Sequence, residues 1–199
     1  MKTNAGPGCS LSRATIPLIC SSGYPRRASG DPSCGGGAMG RVEDKNILVT
    51  GVRTDAGIAV AGAQKAKEEG ANLVLTGAGR GLSLTTRTAR KLGAPPVLSL
   101  DVTSQDELDA LAPSLRELGW DRIDGVVHAI GFAPELCLGH GMFEAPWSDV
   151  AIAMQISTYS YAALAKAALP LMEAEGGSTV GLDFEATQAW PAYDGTGVA

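Results

Sequence analysis

The sequence predicts an α/β fold, a parallel sheet with helices on both faces, and three observations predict it. Short runs of β-branched and aliphatic residues alternate with longer amphipathic stretches from Lys45 onward. The short runs are apolar throughout, as strands buried on both faces are. The first run ends at Gly51, and Gly57, with five residues between, opens a helical pattern. That layout turns a strand into a helix whose N-terminus can face a phosphate.

Taken in order, residues 46–50 form the first strand and residues 57–69 the first helix, with Gly70 as its C-cap. Residues 72–76 are the second strand and 82–92 the second helix. Residues 96–101 are the third strand. Ser104 and Glu107 then make a capping box for a helix with Leu108, Leu111, Leu115 and Leu118 on one face. Residues 124–130 are the fourth strand. A long helical pattern over 147–172, with Ser148 as its cap, leads to a fifth strand at 178–183. Right-handed crossovers make this a Rossmann-type doubly wound parallel sheet. Ligands of such sheets bind beyond the carboxyl ends of the strands. Here that edge carries Gly51, Gly77, Asp101, Ala129, Ile130, Gly131 and Phe184.

The chain has 199 residues, 45% apolar and 19% charged, enough for one sizeable core. A net charge of −5 leaves no basic stripe for nucleic acid. No apolar run is long enough to cross a membrane. Cys9, Cys20, Cys34 and Cys137 form no C-x-x-C pair, and a Cys137–His140 metal site would lack further ligands. Unpaired thiols point to the cytoplasm.

A seam lies near Met39. Residues 1–38 are rich in glycine and proline and carry Lys2, Arg13, Arg26 and Arg27 against the single acid Asp31. They are expected to be a disordered or mis-started N-terminal extension, in preference to an organelle transit peptide. Residues 39–199 are the dinucleotide-binding domain.

Seven pieces, in order, carry a resemblance. They are residues 47–59, 75–77, 100–102, 124–132, 156–161, 181–184 and 191–193. With them the chain resembles the enoyl-acyl carrier protein reductases, a divergent branch of the short-chain dehydrogenases/reductases, and the actinobacterial long-chain type above all. The first loop is longer than the G-x-G-x-x-G fingerprint, which favours this branch.

The resemblance implies a role for each matching position. Gly51, Gly57 and Ile58 would line the pyrophosphate, and Asp101 and Val102 would hold the adenine. Ala129, Ile130 and Gly131 would lie beside the ribose and nicotinamide. Phe184 would sit against the substrate, and Tyr193 would be the catalytic tyrosine, stabilising the enolate formed when hydride reaches the β-carbon of a trans-2-enoyl thioester. The thioester would be carried on acyl carrier protein or coenzyme A. Relatives also imply a homo-oligomer, a tetramer when complete.

Two features depart from the family. The lysine expected seven residues after Tyr193 would be residue 200, beyond Ala199. Gly195 and Gly197 fall where the family begins a helix, at a cost of roughly 1 kcal/mol each. The resemblance therefore implies a chain lacking the family's last strands, last helices and substrate loop. A truncated, non-catalytic nucleotide-binding remnant is the alternative reading. A ketoacyl reductase is disfavoured, because Gly197 stands where Tyr-x-x-x-Lys would need lysine.

The expected cofactor is NADH, by resemblance. The second strand ends without the acid that usually holds the ribose 2′-hydroxyl, and Arg80 suits a 2′-phosphate, which keeps NADPH as the alternative. His128 reads as a buried, hydrogen-bonded histidine rather than a catalytic one. Tyr159 and Tyr161 read as core or subunit packing.

Overall fold

The computed structural model describes residues 41–138, 142–174 and 176–183. The expectations for residues 1–38, His140, Phe184 and Tyr193 lie outside the described residues.

Five parallel strands form one sheet in the order β3-β2-β1-β4-β5. They are β1 (Asn46–Val49), β2 (Asn72–Gly77), β3 (Val97–Ser99), β4 (Gly125–His128) and β5 (Ser178–Gly181). Leu48 on the central β1 aligns with Val74 on one side and Val126 on the other. The chain winds outward from β1 to β3, then returns across the sheet to β4. This leaves a crevice between the ends of β1 and β4, where an open α/β sheet binds its ligand.

Successive residues of β1 face opposite cores. Leu48, with Val74, Leu100 and Val126, packs against α3 (Gln105–Glu117) and α5 (Ser160–Ala168) through Leu108, Leu111, Leu115 and Leu164. Val49, with Leu73 and Leu75, packs against α1 (Ile58–Glu68) and α2 (Leu82–Lys91) through Ala59, Val60, Ala63, Ala89 and Leu92. The doubly wound parallel sheet is thus present, with apolar strands covered on both faces as their composition requires.

Four local details differ from the expectation. Ser104 accepts from the Glu107 amide at 3.3 Å, but Glu107 does not return the bond. Its carboxylate instead accepts from the Asp101 amide at 2.8 Å and the Ser99 hydroxyl at 3.1 Å. β3 is shorter than expected, although Leu100 just beyond it still donates to the Gly77 carbonyl at 2.9 Å. Leu118 is 41% exposed, because it caps α3 rather than continuing its buried stripe. Ser148 is not a cap. Pro146 holds that position for α4 (Trp147–Ala153), and the Ser148 hydroxyl contacts the Asp149 carboxylate at 3.4 Å.

The long helix is also not uniform. A π-helical turn, Met154–Tyr159, joins α4 to α5, and a 3₁₀ turn, Leu169–Leu171, closes it. Pro170 has no amide to donate, so the α-helical ladder cannot run through it. The π-turn faces the crevice, and such turns concentrate at functional sites.

Candidate functional site

A cavity of about 330 Å³ opens at the carboxyl edge of the sheet. Its walls come from the loop after β1, the ends of β2 and β4, and the chain just beyond β3. Six of the expected residues line it together: Gly51, Asp101, Val102, Ala129, Ile130 and Gly131. They are separated by up to eighty positions in sequence and meet because four strands end at one edge.

Gly51 is required there on two counts. Its φ is +75°, and a Cβ on it would lie 1.9 Å from the carbonyl oxygen of Ala129. Thr50 fixes the same junction, donating its hydroxyl to the Val127 carbonyl at 2.9 Å and accepting from the Ala129 amide at 3.3 Å. The loop after β1 is thus pressed onto the loop after β4, and any larger residue at 51 would part them.

Gly57 and Ile58 stand at the start of α1, outside the cavity walls. Ile58 is 72% exposed. Gly57 is the N-cap, in extended conformation, with no side chain to bond the first-turn amides. Val60 donates its amide to the Gly57 carbonyl at 3.0 Å, and the Ile58 and Ala59 amides remain available to an anion at the positive end of the helix dipole.

Two threonines not singled out from the sequence hold the β1–α1 loop from behind. Both are buried on α2. Thr85 donates to the Val52 carbonyl at 2.6 Å, and Thr88 donates to the Arg53 carbonyl at 3.3 Å. The only sequence signal was hydroxyls at the inward positions of an amphipathic helix, a pattern shared with ordinary back-bonding threonines.

On the opposite wall, Asp101 accepts from the Thr103 amide at 2.9 Å and hydroxyl at 2.7 Å, a tight turn that points Val102 inward. The π-turn supplies Ile156 to the wall. Ser157 accepts from the Phe132 amide at 3.0 Å and donates to the Phe132 carbonyl at 2.9 Å. Both bonds clamp the loop after β4.

His128 is buried, as expected. Ser160 donates to the Ile156 carbonyl at 2.5 Å, so its remaining role toward the imidazole Nε2, 2.7 Å away, is that of acceptor. Burial holds the imidazole below its ordinary pKa, and the ring is neutral at pH 7. Tyr161 meets the His128 ring edge-on at 5.6 Å and donates to the Thr179 carbonyl at 3.0 Å, tying α5 to β5. Tyr159, by contrast, is 67% exposed and outside the core.

Among the described residues, no cluster of three His, Cys, Asp or Glu side chains is arranged for a metal. None of their helices is long and apolar enough to cross a membrane. The cavity combines aliphatic walls, two close backbone loops and an uncapped helix nearby. Such a site fits an extended ligand with apolar ends and an anionic middle, which is the chemistry of a dinucleotide.

The family model described as enoyl-(acyl carrier protein) reductase matches residues 51–199. An NADH-dependent enoyl-[acyl-carrier-protein] reductase of Mycolicibacterium smegmatis is 49% identical over 164 residues, covering 80% of this chain and 60% of the relative. The Mycobacterium avium enzyme of the same name is 43% identical over 163 residues, with the same coverage of 80% and 60%. A Neisseria meningitidis counterpart is 36% identical over 164 residues, covering 81% of this chain and 62% of the relative. The chain spans about 60% of the length of these curated relatives.

Proposed function

The chain belongs to the enoyl-(acyl carrier protein) reductase family, and on that premise we propose that the protein is an NADH-dependent reductase of fatty-acid synthesis. Its substrate is a trans-2-enoyl thioester on acyl carrier protein or coenzyme A. The observation that carries this reading is the meeting of Gly51, Asp101, Val102, Ala129, Ile130 and Gly131 around one cavity. The names of the relatives support NADH as the cofactor.

When bound, the nicotinamide cofactor supplies the hydride that reduces the enoyl β-carbon. The residues of the chain bind and orient. Gly51 lets the pyrophosphate approach backbone, Gly57 leaves room for it at the helix start, and Ile58 offers a helix amide to it. Asp101 and Val102 flank the adenine, while Ala129, Ile130 and Gly131 lie along the ribose and nicotinamide. Phe184 borders the substrate, and the Tyr193 hydroxyl stabilises negative charge on the thioester oxygen, where exclusion of water strengthens its effect. We assign residues 39–199 to the dinucleotide-binding domain and residues 1–38 to an extension without a chemical role. The working protein is a cytoplasmic homo-oligomer, a tetramer.

Calorimetric titration with NADH tests the binding half of this proposal. The wild-type chain should bind NADH, and Gly51→Ala should weaken binding by more than tenfold, because its Cβ meets the Ala129 carbonyl. Absence of NADH binding by the wild type would overturn the reading. Turnover of a long-chain enoyl thioester tests the catalytic half; binding without turnover would favour the non-catalytic remnant.

A further inference from the structure

The segment read as lying along the ribose and nicotinamide, Ala129, Ile130 and Gly131, is held at both ends from the neighbouring helix. At its near end His128, the last residue of β4, is bonded through Nε2 to Ser160 at 2.7 Å. At its far end Phe132 donates its amide to the Ser157 hydroxyl at 3.0 Å and accepts that hydroxyl's proton on its carbonyl at 2.9 Å. Ser157 lies in the π-turn and Ser160 opens α5.

Between those anchors the backbone has little to hold it. The Ala129 amide donates to Thr50 at 3.3 Å. Among the described residues, the amides and carbonyls of Ile130 and Gly131 have no hydrogen-bond partner. A Cβ built on Gly131 meets nothing within 4 Å, so the segment runs beside open space at the cavity wall. Its path therefore depends on its two ends.

The two anchors differ in kind. His128 and Ser160 are buried, and their bond belongs to the core. Ser157 is only half-buried, and Phe132 is 50% exposed. Water can satisfy the Phe132 amide and carbonyl at such a rim, so the serine adds little to the stability of the fold. What it does add is conformational restraint. One hydroxyl that engages both backbone groups of one residue fixes the direction in which the chain leaves Gly131. The α-helical ladder is interrupted where it does so, and interruptions of this kind concentrate at functional sites.

We propose that Ser157 is a positioning residue of the reductase. Its hydroxyl sets the far end of the 129–131 segment, and with it the fit of the nicotinamide half of the cofactor. The adenosine half does not depend on it. Asp101 is bonded to Thr103, Ser104 and Glu107, a set that does not include the π-turn. This inference rests on the reading of the cavity as a dinucleotide site and divides that site into two independently held halves.

Cofactor fragments test it without any catalytic step. Calorimetry on the full chain would compare NADH with 5′-AMP, which fills the adenosine half alone. Ser157→Ala should weaken NADH about fivefold or more and leave 5′-AMP within about twofold of wild type. The fluorescence of bound NADH reports on the nicotinamide ring and should move toward that of the free cofactor in the same variant. Ser157→Thr keeps the hydroxyl and should restore both NADH affinity and fluorescence. Retained 5′-AMP binding shows that each variant is folded. If Ser157→Ala binds NADH like the wild type, or loses affinity for both ligands in equal proportion, the inference is wrong and the dinucleotide reading stands. If the wild type binds neither ligand, the dinucleotide reading itself fails, and this inference with it.

Discussion

The two faces of the sheet are built from different materials. The face covered by α3 and α5 is filled with leucine: Leu108, Leu111, Leu115 and Leu164 meet Leu48 and Leu100. The face covered by α1 and α2 uses Ala59, Ala63 and Ala89, with Thr85 and Thr88 buried beside them. Leucine maximises the apolar area removed from water. Alanine brings a helix close to the sheet, and a buried threonine hydroxyl then reaches the loop carbonyls of Val52 and Arg53. One face holds the domain together, and the other shapes the loop that borders the cavity.

The contrast breaks down if the leucine face tolerates truncation. Leu115 is fully buried, and Leu115→Ala should cost about 2–5 kcal/mol in urea unfolding. The alanine face should fail in the opposite direction. Ala63 has no exposed surface, so Ala63→Leu overpacks the contact and should cost about 1–3 kcal/mol, lowering the melting temperature.

Thr85→Val sharpens the division of labour, since it keeps the shape and removes the hydroxyl. Leaving the Val52 carbonyl without its partner should cost about 1–3 kcal/mol, and NADH affinity should fall alongside stability. A loss of stability with cofactor affinity untouched would mean the threonine serves the core alone.

The smallest effect belongs to pH. His128 has its pKa lowered by burial, so the unfolded chain, whose histidine titrates near the ordinary value of about 6.5, binds the proton more readily than the folded one. Above that pH the imidazole is neutral in both states and contributes no slope. As pH falls below it, stability should decline until the folded-state pKa is reached. Denaturant midpoints measured across this window should fall less steeply in His128→Gln.

The sheet and most of its edge were readable from the sequence because apolar runs and glycines act locally. Gly51 and Gly77 mark strand ends by their own conformational needs, and burial on both faces makes the strands uniformly apolar. The six cavity residues followed from strand ends and resemblance together. Thr85, Thr88 and Ser157 could not be found the same way. Their partners are backbone carbonyls and amides 25 to 35 residues away, and such bonds leave no periodic trace. The Glu107 carboxylate likewise bonds the Asp101 amide, not the Ser104 amide that a capping box calls for.

The π-helical turn between α4 and α5 has a consequence for reading substitutions in this helix. Widening one turn accommodates one more residue than an α-helix would, which offsets everything downstream by roughly 100° of rotation. Ala153 and Leu164, both buried, therefore keep time with two different clocks on one cylinder. Deleting a single residue within Met154–Tyr159 would bring the clocks into step, turning Ser160 away from His128 and carrying Leu164 out of the leucine-filled layer. Shortening by one position here should be more damaging than most side-chain replacements along the same helix.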